Sequence, residues 1–152
     1  MNRTTLISRL VVGLLAAAPV FSAVADDDTR TYAVSITNLT RGILFTPIIV
    51  ATHQAGYRLW NLGQPASAAL AIIAEGGNTG PLAAVINATP KASTAVSPGA
   101  LAAGQTVTIH VTSLGDSNNL SVAAMMLPTN DGFIGVTNVP PAQEQAGVDL
   151  SV

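Results

Sequence analysis

Few side chains in this sequence have the types and spacing that covalent chemistry needs. Gly115-Asp116-Ser117 has the form of a nucleophile block, in which a serine attacks an ester while a histidine, held by an acid, takes its proton. The base is missing from its expected place, because His110 precedes the serine and no histidine follows it. An Asp-Ser-Asn-Asn turn between two strands is the simpler reading of this stretch. A small hydrolase using Ser117 with His110 is the rival one. No G-x-S-x-G occurs, and His53 and His110, the only histidines, fit neither H-E-x-x-H nor any other zinc-ligand spacing. His53 follows an apolar run and precedes Gly56-Tyr57-Arg58; packing at a sandwich end suits it better than ligand binding. His110 falls on the polar face of its strand and reads as solvated. Gly76-Gly77-Asn78-Thr79-Gly80 lacks the lysine and the preceding strand of a phosphate loop and reads as a hinge. Trp60 with Arg58 offers a contact patch, although filling the core is the commoner fate of a sole tryptophan.

Composition excludes further classes. The 152 residues suit one domain. The absence of Cys removes disulfide scaffolds, zinc ribbons, iron–sulfur clusters and thiol nucleophiles. Only 9% of residues are charged and the formal charge is −2, so there is no basic surface to hold nucleic acid. A hydrophobic share of 49% and a mean hydropathy of +0.47 suggest a membrane protein at first sight. The apolar residues, however, are mostly Ala and Val scattered among Thr, Ser, Asn and Gly, which suits a packed β-rich domain.

Met1 to Arg9 carry two arginines and no acid, Leu10 to Phe21 run apolar, and Ser22-Ala23-Val24-Ala25 ends the run in small residues. This predicts a secretory signal peptide over residues 1–25 with an A-x-A site. The run is well short of the roughly 20 residues needed to span a bilayer, and no second run of that length follows. Processing leaves a mildly acidic chain with no transmembrane span, periplasmic or secreted. Residues 26–30 begin with Asp26-Asp27-Asp28 and read as a flexible acidic end. The tripeptides starting at Asn38 and Asn87 fit the N-glycosylation pattern, which is common enough to arise by chance.

The elements that must position these side chains follow from periodicity. Tyr32, Val34 and Ile36 alternate with polar residues as in a half-buried strand. Ile43 to Ala51 are densely apolar and interrupted by Pro47, which is confined to a strand edge, start or bulge. Pro65 to Asn87 is an Ala-rich insertion: Ala66 to Glu75 predict a helix stopped by Gly76-Gly77, and Thr79-Gly80-Pro81 open a second reaching Ile86. Lys91 to Gly104 reads as a loop or weak strand. Gln105 to Thr112 give the clearest strand, with Val107, Ile109 and Val111 inward. Leu120 to Leu127 are apolar on both faces, as a central strand requires. Asn130-Asp131-Gly132 then reads as part of a turn. Phe133 to Thr137 and Gly147 to Val152 complete six strand candidates, the last expected at a sheet edge. The pattern predicts an all-β, antiparallel sandwich with a short helical insertion.

Thr31-Tyr32-Ala33-Val34-Ser35-Ile36-Thr37-Asn38-Leu39-Thr40-Arg41-Gly42, then Phe45-Thr46-Pro47 and Ala51-Thr52-His53, resembles the opening of bacterial proteins with a spondin amino-terminal domain. Leu62-Gly63-Gln64-Pro65-Ala66-Ser67 and Leu70 through Thr79 look like that family's helical insertion, and Met125-Met126-Leu127-Pro128-Thr129-Asn130-Asp131-Gly132-Phe133-Ile134-Gly135 like its most distinctive block. The resemblance covers residues 31–152. It implies a sandwich resembling the calcium-dependent lipid-binding sandwiches, serving extracellular adhesion and recognition in the animal relatives. It also implies a divalent cation, calcium, at the sandwich end, held by the aspartate that Asp131 matches and by two acids of a later D-A-G-T-[DE] segment. Of these, Asp131 carries over and the other two do not, the sequence at Val152 being expected to stop short of that segment; Glu144 or Asp149 would have to substitute for them. A calcium ion takes six to eight oxygens, so Asp131 with Asn130 and backbone carbonyls would hold it only weakly.

The sequence therefore predicts an exported, non-enzymatic recognition or adhesion module that meets a cell-surface or extracellular protein or glycan through sandwich-end loops near Asp131. A third reading is a structural surface component assembling through an exposed edge strand.

Overall fold

A computed structural model of the chain describes residues 28–141 and the backbone of 147–151. The expected signal segment at 1–25, together with Asp26, Asp27, Glu144 and Val152, lies outside the described residues.

Two sheets face each other. In the first, β1 (Thr29–Thr37) pairs antiparallel with β5 (Thr106–Leu114). The register sets Tyr32 opposite Val111, Val34 opposite Ile109 and Ile36 opposite Val107, so the alternating apolar residues of both strands meet on one face. The opposite face is a ladder of hydroxyls, with Ser35 and Thr108 at 2.9 Å and Thr37 and Thr106 at 2.9 Å.

The second sheet is built on β6 (Asn119–Leu127). Along one side of β6 runs β7 (Phe133–Val139); along the other run β2 (Leu44–Phe45) and then β3 (Ile49–His53), with β4 (Ser93–Val96) beyond β3. The apolar run over 43–51 is thus divided at Thr46-Pro47-Ile48, where proline has no N–H to give the ladder. Thr46 compensates: its N–H donates to the Met125 carbonyl (3.0 Å), and its hydroxyl accepts the Met125 N–H (3.1 Å). The weak strand expected within 91–104 is β4.

One pairing differs from the antiparallel expectation. β8 (Gly147–Ser151) lies parallel to β1, from Ala33 opposite Gly147 to Thr37 opposite Ser151, at the edge of the three-stranded sheet. The cause is connectivity. β7 belongs to the other sheet, so the chain reaches β8 by a crossing rather than a hairpin, and a crossing does not force reversal of direction.

The helices form a third layer. In α1 (Ala68–Gly76) the Ser67 hydroxyl caps the Leu70 N–H at 3.2 Å, and Gly77, with φ of 66°, closes the helix by donating its N–H to the Ile73 carbonyl. α2 (Gly80–Asn87) carries Pro81 in its first turn, where the lost donor costs nothing. Leu70, Ile73, Leu82 and Ile86 pack with Ile49, Ala51 and Ala123, and the two alanines let the helices come close to the sheet. Val34, Phe45, Ile48, Leu120 and Val122 fill the space between the sheets. β6 is therefore covered on both faces, which explains its unbroken apolar run.

Candidate functional site

The residues singled out for chemistry do not converge. His110 is exposed on the outward face of β5, opposite Ala33. Ser117 is fully buried in the β5–β6 turn, its N–H donating to the Leu114 carbonyl and its own carbonyl accepting the Ser113 hydroxyl at 2.7 Å. The strand places one side chain outside the sandwich and the turn places the other inside it, so they form no Ser–His pair. Asp116, beside that turn, is held by Lys91 Nζ (3.0 Å) and Gln54 Nε2 (2.7 Å), and these two donors keep its carboxyl below the usual carboxylate range.

Asp131 sits exposed in the β6–β7 turn with φ of 61°, a left-handed conformation that aspartate tolerates. The turn is closed by the Met126 N–H on the Gly132 carbonyl (2.9 Å) and the Thr129 hydroxyl on the Met126 carbonyl (2.5 Å). Among the described residues no three His, Asp or Glu side chains gather where a metal ion could be held. Calcium takes six to eight oxygens, several of them charged, so without such a cluster the described residues do not fit the cation that the resemblance implies.

Asn38, at the same end as Asp131, is buried, and its amide is spent on structure. Nδ2 donates to the Ile43 and Leu101 carbonyls (2.9 and 3.0 Å), while Oδ1 accepts from the Thr40 N–H and hydroxyl. It ties the end of β1 to the other sheet, and its side chain is not open to glycosylation.

The opposite end contains a polar centre that the sequence did not disclose. His53, wholly buried, lies with Nε2 2.7 Å from the Ser121 hydroxyl and Nδ1 2.9 Å from the Gln54 carbonyl. Because a carbonyl only accepts, Nδ1 carries the proton and Nε2 accepts from Ser121. The Ser121 oxygen also accepts the Asn138 N–H at 2.9 Å. Burial pushes the His53 pKa below its ordinary value, more strongly than the bond to Gln54 raises it. Packing was the expected role of His53; its partner Ser121 gave no signal because it lies within an apolar strand.

Around this centre the loop after β3 is strapped to β7. The Leu59 N–H donates to the Thr137 hydroxyl (2.9 Å), and the Gly56 N–H donates to Asn138 Oδ1 (3.3 Å). Asn138, with φ of 58°, lies where the β6–β7 register shifts, a bulge that turns its side chain to the loop. Tyr57 covers the His53 ring at 5.1 Å, and Trp60 meets Phe133 edge to face at 5.3 Å and 78°. Gly135 makes room for Trp60, since a Cβ there would lie 2.7 Å from the indole and collide with the Val122 carbonyl.

Between this loop and β7 lies an open cleft of about 460 Å³, with Arg58, Trp60 and Leu62 on one wall and Gly135, Thr137 and Val139 on the other. Leu62 is 93% exposed, the highest value among the exposed large apolar residues described. Arg58 has no ion pair among the described residues, whereas Arg30 and Lys91 are paired with Asp28 and Asp116. Trp60 is half-buried: one edge packs on Phe133 of β7, and the ring also lines the cleft.

No curated protein matches the chain at a significant level. Among the described residues no helix is long and apolar enough to cross a membrane. The Spondin_N family model matches residues 30–146, from β1 through β7 and beyond, and the chain belongs to that family.

Proposed function

We propose that the processed chain is an exported, non-enzymatic recognition module that meets its partner, a protein or glycan outside the cell, at the cleft between Arg58–Leu62 and β7. Family membership supports an extracellular recognition or adhesion-type module. The cleft carries the choice of surface, because it sets the open apolar side chain of Leu62 beside an aromatic wall and an arginine that has no ion pair among the described residues. This surface runs along β7 from Gly135 to Val139 and does not include Asp131, to which the resemblance pointed. A hydrolase is disfavoured by the separation of Ser117 from His110.

Capture of the processed chain on peptide and glycan arrays tests the reading. Binding is expected for the native chain, with loss of signal in Leu62→Asp, a change on an open side chain that leaves the core untouched. Equal signal from both proteins, or from neither, would refute it.

A further inference from the structure

The two walls of the cleft differ in kind. One wall is the loop, which offers side chains; the other is a strand, which offers main chain. The Met126 N–H donates to the Gly132 carbonyl, so alternation along the antiparallel ladder directs Ile134 and Val136 to β6 and turns the N–H and C=O of Phe133 and Gly135 away from it. Among the described residues those outward groups have no partner, and β7 pairs only with β6. Gly135 adds no side chain to shield them, and Trp60 stands directly over it.

A row of alternating donors and acceptors at strand spacing is matched by another strand and not by a sugar ring. We propose, resting on the recognition cleft above, that its occupant is an extended polypeptide segment that adds to the free edge of β7. In that segment alternate residues are apolar and face Trp60 and Leu62, and one acidic residue lies beside Arg58. The mostly apolar walls, Trp60, Leu62, Val136 and Val139, favour such a segment over a polyhydroxylated ligand. Arg58 supplies the charge preference, because a guanidinium with no ion pair among the described residues can bind a carboxylate from outside in a planar fork.

Trp60 is the only tryptophan in the sequence, so its emission reports occupancy of the cleft directly. The processed full chain is titrated with a pool of capped seven-residue peptides that alternate Val with Thr and carry one Asp. Counterparts are N-methylated on alternate residues or have Asn in place of Asp. Saturable binding is expected, weakened about 10-fold or more by N-methylation, which removes main-chain donors but keeps every side chain. The Asp to Asn change should weaken it roughly 3-fold in the native chain and have no effect in Arg58→Gln. Equal binding of the N-methylated peptides, or no binding of any peptide, overturns strand addition. If oligoglucuronate then shifts the Trp60 emission and Leu62→Asp abolishes the shift, the recognition cleft stands with a different occupant. If neither probe binds, both readings fail.

Discussion

The 2.7 Å contact between His53 Nε2 and Ser121 Oγ joins β3 to β6, and Ser121 passes the connection to β7 by accepting the Asn138 N–H. One imidazole thus fixes the strand bulge that holds the Arg58–Leu62 loop, linking a buried hydrogen bond to the shape of an exposed cleft.

This contact makes stability depend on pH. Burial holds the folded His53 pKa below the ordinary 6.5, so as pH falls through that value the unfolded chain takes up a proton that the folded chain refuses. The contribution is complete above about 6.5 and is lost progressively toward the depressed folded value. Thermal melts are expected to show a falling Tm between pH 7 and pH 5, with a flatter profile in His53→Gln. The same slope in both proteins would assign it to other groups.

Ser121→Ala removes the acceptor of one half-buried N–H and the donor to a buried ring nitrogen. A loss of about 2 kcal/mol is expected in urea unfolding, with exchange protection falling first at Asn138 and Leu59. An unchanged midpoint would mean that the contact does not hold the loop.

Ser117→Ala works the other way. The Ser117 hydroxyl is buried without a hydrogen-bond partner among the described residues, so its removal is expected to leave stability unchanged or raise it by about 1 kcal/mol. Generic ester substrates should be untouched by either protein; ester cleavage abolished by Ser117→Ala would restore the hydrolase reading.

Gly135→Ala puts a methyl group into the Val122 carbonyl and the Trp60 indole. It is expected to cost about 3 kcal/mol and to alter the Trp60 emission even without ligand. A native spectrum and midpoint would show that Trp60 does not rest on β7.

Asp131→Asn changes a side chain that belongs to no cluster of three or more His, Asp or Glu among the described residues. The expected outcome is that millimolar calcium leaves the Tm of both proteins unchanged; a calcium-dependent rise lost in Asp131→Asn would establish a cation site at that end.

Much of the fold was legible because its signals are local. Val107, Ile109 and Val111 alternate, Pro81 and Gly77 punctuate the helices, and Leu120 to Leu127 are apolar on both faces because helices cover what the sandwich does not. The direction of β8 was not legible, since strand polarity depends on how a connection crosses between sheets. The cleft was half legible. Arg58 and Trp60 suggested a patch, but its other wall is a strand some 75 positions later, brought there by the pairing of β7 with β6. Ser121 was hidden because one hydroxyl within an apolar strand has no pattern of its own. The resemblance that named the family also drew attention to Asp131, which no cluster of three or more ligands joins among the described residues.

Arg58 and Arg41 allow the most direct test of where recognition occurs. Both are arginines without an ion pair among the described residues, and they stand at opposite ends of the sandwich, Arg58 at the cleft and Arg41 in the loop near the Asp131 turn. Arg58→Glu and Arg41→Glu change net charge equally, so each controls for the other on the same peptide and glycan arrays. The account predicts that binding is lost in Arg58→Glu and kept in Arg41→Glu; loss in Arg41→Glu with full binding by Arg58→Glu would contradict it.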